Sequence, residues 1–132
     1  MTYQRNAITA YQSAVMTTPP LQAVVLLYDD ILVRIHTAGN AAGQGDYGRQ
    51  YDEVASAVRI LRGLLAALDL ERGGRLAAGL AGTYRVNMQA LLATVGQRDA
   101  QPRLTTIAGG LRLLRNAWAE IAGMDIRELG NA

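Results

Sequence analysis

The chain has 132 residues, half of them hydrophobic, with 13 basic residues (all arginine), 11 acidic ones and a formal net charge of +2. That is enough for one domain burying about two-thirds of the surface its unfolded form exposes, and too apolar for a disordered segment. With no cysteine there is no disulfide framework, thiol nucleophile or thiolate metal site. The 22 alanines, and the lack of alternating apolar and polar residues, point to an all-α fold. The absence of lysine reads as codon bias rather than selection for arginine chemistry. The N-terminal residues lack the apolar core of a signal peptide, and the longest apolar run, residues 23–28, is too short to span a bilayer. A cytoplasmic protein is expected.

Residues 1–16 form a leader in which Ile8, Tyr11 and Val15 recur at steps of three and four. A helix this short is marginal alone, so the leader is expected to pack on the body, as a fixed layer or as a segment that docks and undocks. The first predicted helix covers 18–38. Thr18 can cap it, Pro19 can take its first position, and Gly39-Asn40 is a natural stop. Leu21, Val24, Val25, Tyr28, Ile31, Leu32 and Ile35 line one face, and Leu27 and Val33 widen the stripe. A helix this apolar is expected at the centre of the fold, with part of its surplus surface available to a partner.

Residues 39–45 are rich in turn formers, but their Gly-Gln-Gly follows a helix and lacks a Gly-Lys-Ser/Thr, so it is not a phosphate loop. The second helix, 46–68, is capped by Asp46. Tyr47, Tyr51, Val54, Val58, Leu61, Leu65 and Leu68 give it a coiled-coil-like seam. The third, 75–95, carries Leu76, Leu80, Tyr84, Met88, Leu91 and Val95, with Gly79 and Gly82 either allowing close helix approach or making it pliable. The fourth, 102–122, begins at Pro102 and carries Leu104, Ile107, Leu111, Leu114, Trp118 and Ile121. Gly123 ends it, and residues 124–132 form a tail. Matched helices on short connectors favour antiparallel neighbours. The expected architecture is a single-domain antiparallel four-helix bundle over residues 1–132, with the leader packed on it.

Little here supports catalysis. A di-iron bundle needs Glu-x-x-His pairs, but the one histidine, His36, has no glutamate three residues before it. Asp29 and Asp30 are adjacent in a helix, point about 100° apart and cannot act as an acid–base pair on one atom. No enzyme, cofactor or metal is expected. Arg59 and Arg62 share a helix face, as do Arg112 and Arg115, and the pI is near 9.3, but acidic residues are interspersed and no basic run is present. Nucleic acid is not expected as a partner, nor is stable membrane insertion, because no helix joins an apolar face to a cationic one.

A series of short stretches in order gives a more specific indication: Ala10-Tyr11-Gln12, Thr18-Pro19-Pro20-Leu21, Leu27-Tyr28-Asp29, Leu68-Asp69, Gly73-Gly74 and Leu114-Arg115-Asn116-Ala117-Trp118. Across roughly residues 7–122 the chain resembles the FliS family of cytoplasmic export chaperones for flagellin. It departs from the family pattern at Asp30, where glycine is usual, and at Val86, where a tyrosine is frequent. The resemblance implies a protein that binds the disordered C-terminal segment of flagellin, prevents its premature polymerisation and aids its delivery to the flagellar type III export apparatus, with export-gate components as further partners. Matching motif positions places Tyr11, Tyr28 and Asp29 at or beside the flagellin surface, with Ile8 and Val15 as companions. The competing reading of Tyr28 is a core tyrosine with its hydroxyl bonded; that of Asp29 is a local helix or leader contact. The alternative from another class is a homodimeric helical adaptor without a client.

Overall fold

The computed structural model describes residues 21–124. They form four helices: α1 (Leu21–Gly43), α2 (Tyr47–Ala66), α3 (Leu70–Ala93) and α4 (Ala100–Ala122). Cross-links fix the directions. Gln22 Nε2 donates to the carbonyl of Ala122, and Asp29 pairs with Arg115, so α1 and α4 run antiparallel. Arg34 reaches Glu53 across α1 and α2, and Gln50 Nε2 donates to the carbonyl of Thr94 across α2 and α3. The fold is the all-α antiparallel four-helix bundle that the helical periodicities indicate.

α1 is the central member. It packs extensively against α4 and α2, α2 packs against α3, and α3 and α4 meet only briefly. The cause is in its sequence: Val24, Val25, Tyr28, Ile31, Leu32 and Ile35 are all buried, a stripe wide enough to face two neighbours at once. Leu27 and Val33 are exposed, so the stripe is narrower than the sequence alone implies.

Helix ends differ from expectation where packing outweighs local preference. α1 does not stop at Gly39-Asn40. Gly39 and Ala41 are buried beside the start of α4, and a Cβ on Gly39 would make only an ordinary contact, 3.8 Å from Gln101 Cγ, so the helix runs through this position. The turn comes at Gly45, with φ +75°, a conformation glycine adopts without steric penalty. α2 begins as expected, with Asp46 accepting from the amide of Arg49. α3 begins earlier than expected. Asp69 accepts from the amides of Glu71 and Arg72, and the helix then kinks at Gly74, whose φ of +53° and ψ of −131° lie outside the helical region. α4 also starts early, at Ala100. Pro102 is then its third residue, where its missing N–H still falls among the four donors that have no helical partner. Gly123, at φ +73°, closes α4.

The core joins Tyr28, Ile31, Ile35, Val54, Leu61, Leu91, Leu104, Leu111 and Trp118. The α2 seam holds from Val54 to Leu68 but not at Tyr47 and Tyr51, which are more than half exposed; Gln50 points inward instead. Gly79 and Gly82 do not serve close approach, since a Cβ on either would meet nothing within 4 Å. They leave α3, the helix with least packing support, intrinsically weak.

Four substitutions test this. Gly79→Ala and Gly82→Ala should each raise stability in urea denaturation, by up to about 1 kcal/mol. Gly74→Ala should lower it by about 1–3 kcal/mol, because alanine does not tolerate the kink geometry. Trp118→Ala, at a buried position, should cost roughly 3–5 kcal/mol; a Trp118→Ala protein that melts with the parent contradicts the core assignment.

Candidate functional site

Successive residues on α1 project about 100° apart, so Tyr28 and Asp29 serve different neighbours. Tyr28 is fully buried and its hydroxyl lies 2.7 Å from that of Tyr84 on α3, a hydrogen bond in which either group can donate. The Tyr84 pKa is raised well above the ordinary tyrosine value, chiefly by burial and then by the neighbouring Tyr28 hydroxyl.

Asp29 faces α4. Arg115 donates from Nε to Asp29 Oδ1 at 2.8 Å and from Nη2 to Oδ2 at 3.4 Å, a fork-to-carboxylate pairing. The Arg115 side chain is only 4% exposed and also donates from Nη1 to Asn116 Oδ1. A charge this buried is tolerable only with its partners present. Arg115 therefore does not join Arg112 in a surface basic patch. On the adjacent face Asp30 pairs with Arg34, which also reaches Glu53, so the departure from glycine at position 30 is part of an exposed ion-pair cluster.

Along the same seam α1 and α4 leave an apolar cavity of about 360 Å³. Its wall includes Leu32, Val33 and His36 from α1 with Leu104, Ala108 and Arg112 from α4. Val33 is 59% exposed, as is Leu26 two turns earlier, so an apolar strip continues along the outside of α1. A second cavity, of about 310 Å³, lies in the loose α3–α4 seam beside Ala90, Ala93, Thr106 and Ile107. His36 is exposed and within 3.4 Å of Asn40, at the rim of the larger cavity. Among the described residues no group of three or more His, Cys, Asp or Glu side chains is placed to hold a metal, and no helix is long and apolar enough to cross a membrane.

Of the residues singled out from sequence, Tyr28 and Asp29 are neighbours at the hub of the bundle, one in the core and one 16% exposed at the α1–α4 seam. Ile8, Tyr11 and Val15 lie outside the described residues. Tyr84 is legible in sequence as a seam residue of the third helix and Arg115 as part of a family stretch, but neither as the partner of a hub residue. The one available signal was their position: each is a polar residue within or beside an apolar helical seam. Val86 is 64% exposed, so the tyrosine frequent in the family at this position would stand on the surface of α3.

The geometry is that of an α-helical bundle with a buried polar hub and apolar grooves between its helices. Residues 3–125 match the family described as flagellar protein FliS. The chain is also 31% identical over 126 residues to the flagellar secretion chaperone FliS of Salmonella typhimurium (strain LT2), an alignment covering 91% of this chain and 93% of that protein. The chain belongs to the FliS family.

Two measurements probe the hub. Asp29→Ala leaves Arg115 without its carboxylate and should lower stability by about 3 kcal/mol in urea; a variant as stable as the parent removes the pair from its place in the fold. The Tyr84 shift carries a sign: a raised folded-state pKa favours the neutral form, so its contribution is intact below the ordinary pKa of about 10 and is lost as pH rises above it. Tyr84 should therefore ionise only as the helices melt. Tyrosinate absorbance lost in Tyr84→Phe, yet appearing in the parent while ellipticity is intact, contradicts this.

Proposed function

We infer that the protein is a cytoplasmic export chaperone that binds the disordered C-terminal segment of flagellin, keeps it from polymerising and aids its delivery to the flagellar type III export apparatus. Family membership carries this reading. The structure supports it physically, because the bundle keeps apolar surface beyond its core needs, along the outside of α1 and in the α1–α4 cavity. Amphipathic segments that assemble into a filament expose apolar stripes before assembly, and helix-in-groove docking covers them. A client that orders on binding spends contact energy on that ordering, which leaves a large interface reversible.

Within this reading Ile8, Tyr11 and Val15 belong to a leader at the client surface, with Asp29 beside it. Tyr28, being buried, acts by fixing the α1 backbone rather than by touching the client. Its hydroxyl sets the spacing of α1 from α3 through Tyr84.

Calorimetric titration with a flagellin C-terminal segment of about 40–60 residues, long enough to follow several helices at 1.5 Å per residue, tests the assignment. The expected result is a one-to-one complex with a negative heat-capacity change that survives moderate salt. Removing residues 2–16 should change the affinity in either direction; an unchanged value takes the leader out of the mechanism. A folded parent that gives no heat with this segment and self-associates instead replaces the chaperone by the homodimeric adaptor.

A further inference from the structure

The α1–α4 cavity holds one feature that an apolar groove alone does not need. Arg112 lines it, and Arg112 Nε is buried with no hydrogen-bond partner among the described residues. A buried guanidinium donor left unmade is costly, and such groups in folded proteins ordinarily find an acceptor. No acidic residue lines the cavity. The nearby carboxylates are committed elsewhere: Asp29 to Arg115, Asp30 and Glu53 to Arg34, and Asp99 to Arg103. The first twenty residues contain no Asp or Glu, so the leader has no carboxylate to offer.

The geometry points to an occupant of defined chemistry: one turn of an amphipathic client helix whose apolar side chains fill the space beside Leu32, Leu104 and Ala108 and whose Asp or Glu accepts from Arg112 Nε. The cavity is of a size to take two or three aliphatic side chains; its lining is mostly apolar, Arg112 is its one arginine, and its other polar members, His36, Asn40, Gln101 and Thr105, carry no formal negative charge. An incoming carboxylate would convert an unsatisfied donor into a charge-assisted bond in partly dry surroundings, where such bonds are strongest. A neutral apolar helix would leave that donor buried and unpaired, so the arrangement selects among apolar helices by charge. This inference rests on the chaperone reading and names the part of the client that the cavity takes.

The test uses the full chain and the flagellin C-terminal segment, followed by calorimetry and by the Nε–Hε resonance of Arg112 in nuclear magnetic resonance, assigned by its loss in Arg112→Met. Because Arg112 Nε has no described partner and its burial is costly, Arg112→Met should keep or exceed the parent's melting temperature. It should weaken the client by about tenfold or more, the range expected for a hydrogen bond to a charged group, and flatten the salt dependence of binding. In the parent, the Arg112 resonance should move on client addition. Equal affinity of Arg112→Met and parent, or a parent resonance that stays still while heat is released, overturns the subsite and leaves the chaperone reading standing. No heat with the parent overturns both. The tail is the other source of carboxylates. If Asp125→Asn or Glu128→Gln moves the Arg112 resonance in the free protein, the tail is the occupant and the client subsite is rejected. Should Arg112→Met fail to fold, the resonance in the parent, assigned through its bonds, decides alone.

Discussion

A carboxylate and a guanidinium meet between α1 and α4, and much of the bundle is arranged around that contact. Arg115 is nearly buried and held by both oxygens of Asp29. Taking such a cation from water costs several kcal/mol, recovered only when the geometry is good and the other donors are bonded. The pair therefore fixes the rotation and register of α4 on α1 more narrowly than apolar packing would, since methyl groups slide at little cost and a fork-to-carboxylate bond does not. One residue before it, Tyr28 does the same between α1 and α3 through the Tyr84 hydroxyl. Two consecutive residues on one helix thus orient two different neighbours.

That arrangement lets the rest of the molecule be loose. α3 is kinked at Gly74, carries glycines at which a Cβ would meet nothing within 4 Å, and barely meets α4. A bundle without polar registration could slip in such a seam; here α3 is tied at one end by Gln50 to the Thr94 carbonyl and near its middle by the tyrosine pair. A rigid α1–α4 half and a weaker α3 give a binding protein both a defined groove and a compliant wall. Local opening is drawn from the parts with fewest packed contacts, and α3 is that part.

The surface follows the same division. The outside of α1 keeps Leu26 and Val33 exposed, while its polar positions, Asp30 and Arg34, are tied into the pairing with Glu53 on α2. An apolar strip bordered by satisfied charges has a definite edge, which suits recognition of one stripe of a helix rather than indiscriminate adhesion.

Hydrophobic periodicity alone determined the helix count, the helical class, the central place of the first helix and most of the core, because a three-to-four spacing sustained over five or six turns admits few other structures. Asp46 as a cap and Gly123 as a stop were legible for the same local reason. The order of short motifs also carried the family. Tertiary structure decided the remainder. The sequence could not tell that Gly39 would be buried against α4 rather than end a helix, nor that Tyr47 and Tyr51 would turn outward while Gln50 turned in. Nor could it pair Asp29 with a residue 86 positions away, or leave Arg112 beside a cavity without an acceptor among the described residues. Local rules act over one or two turns of chain, whereas these features depend on which helix lies opposite and at what register, and that is fixed only when the four helices come together.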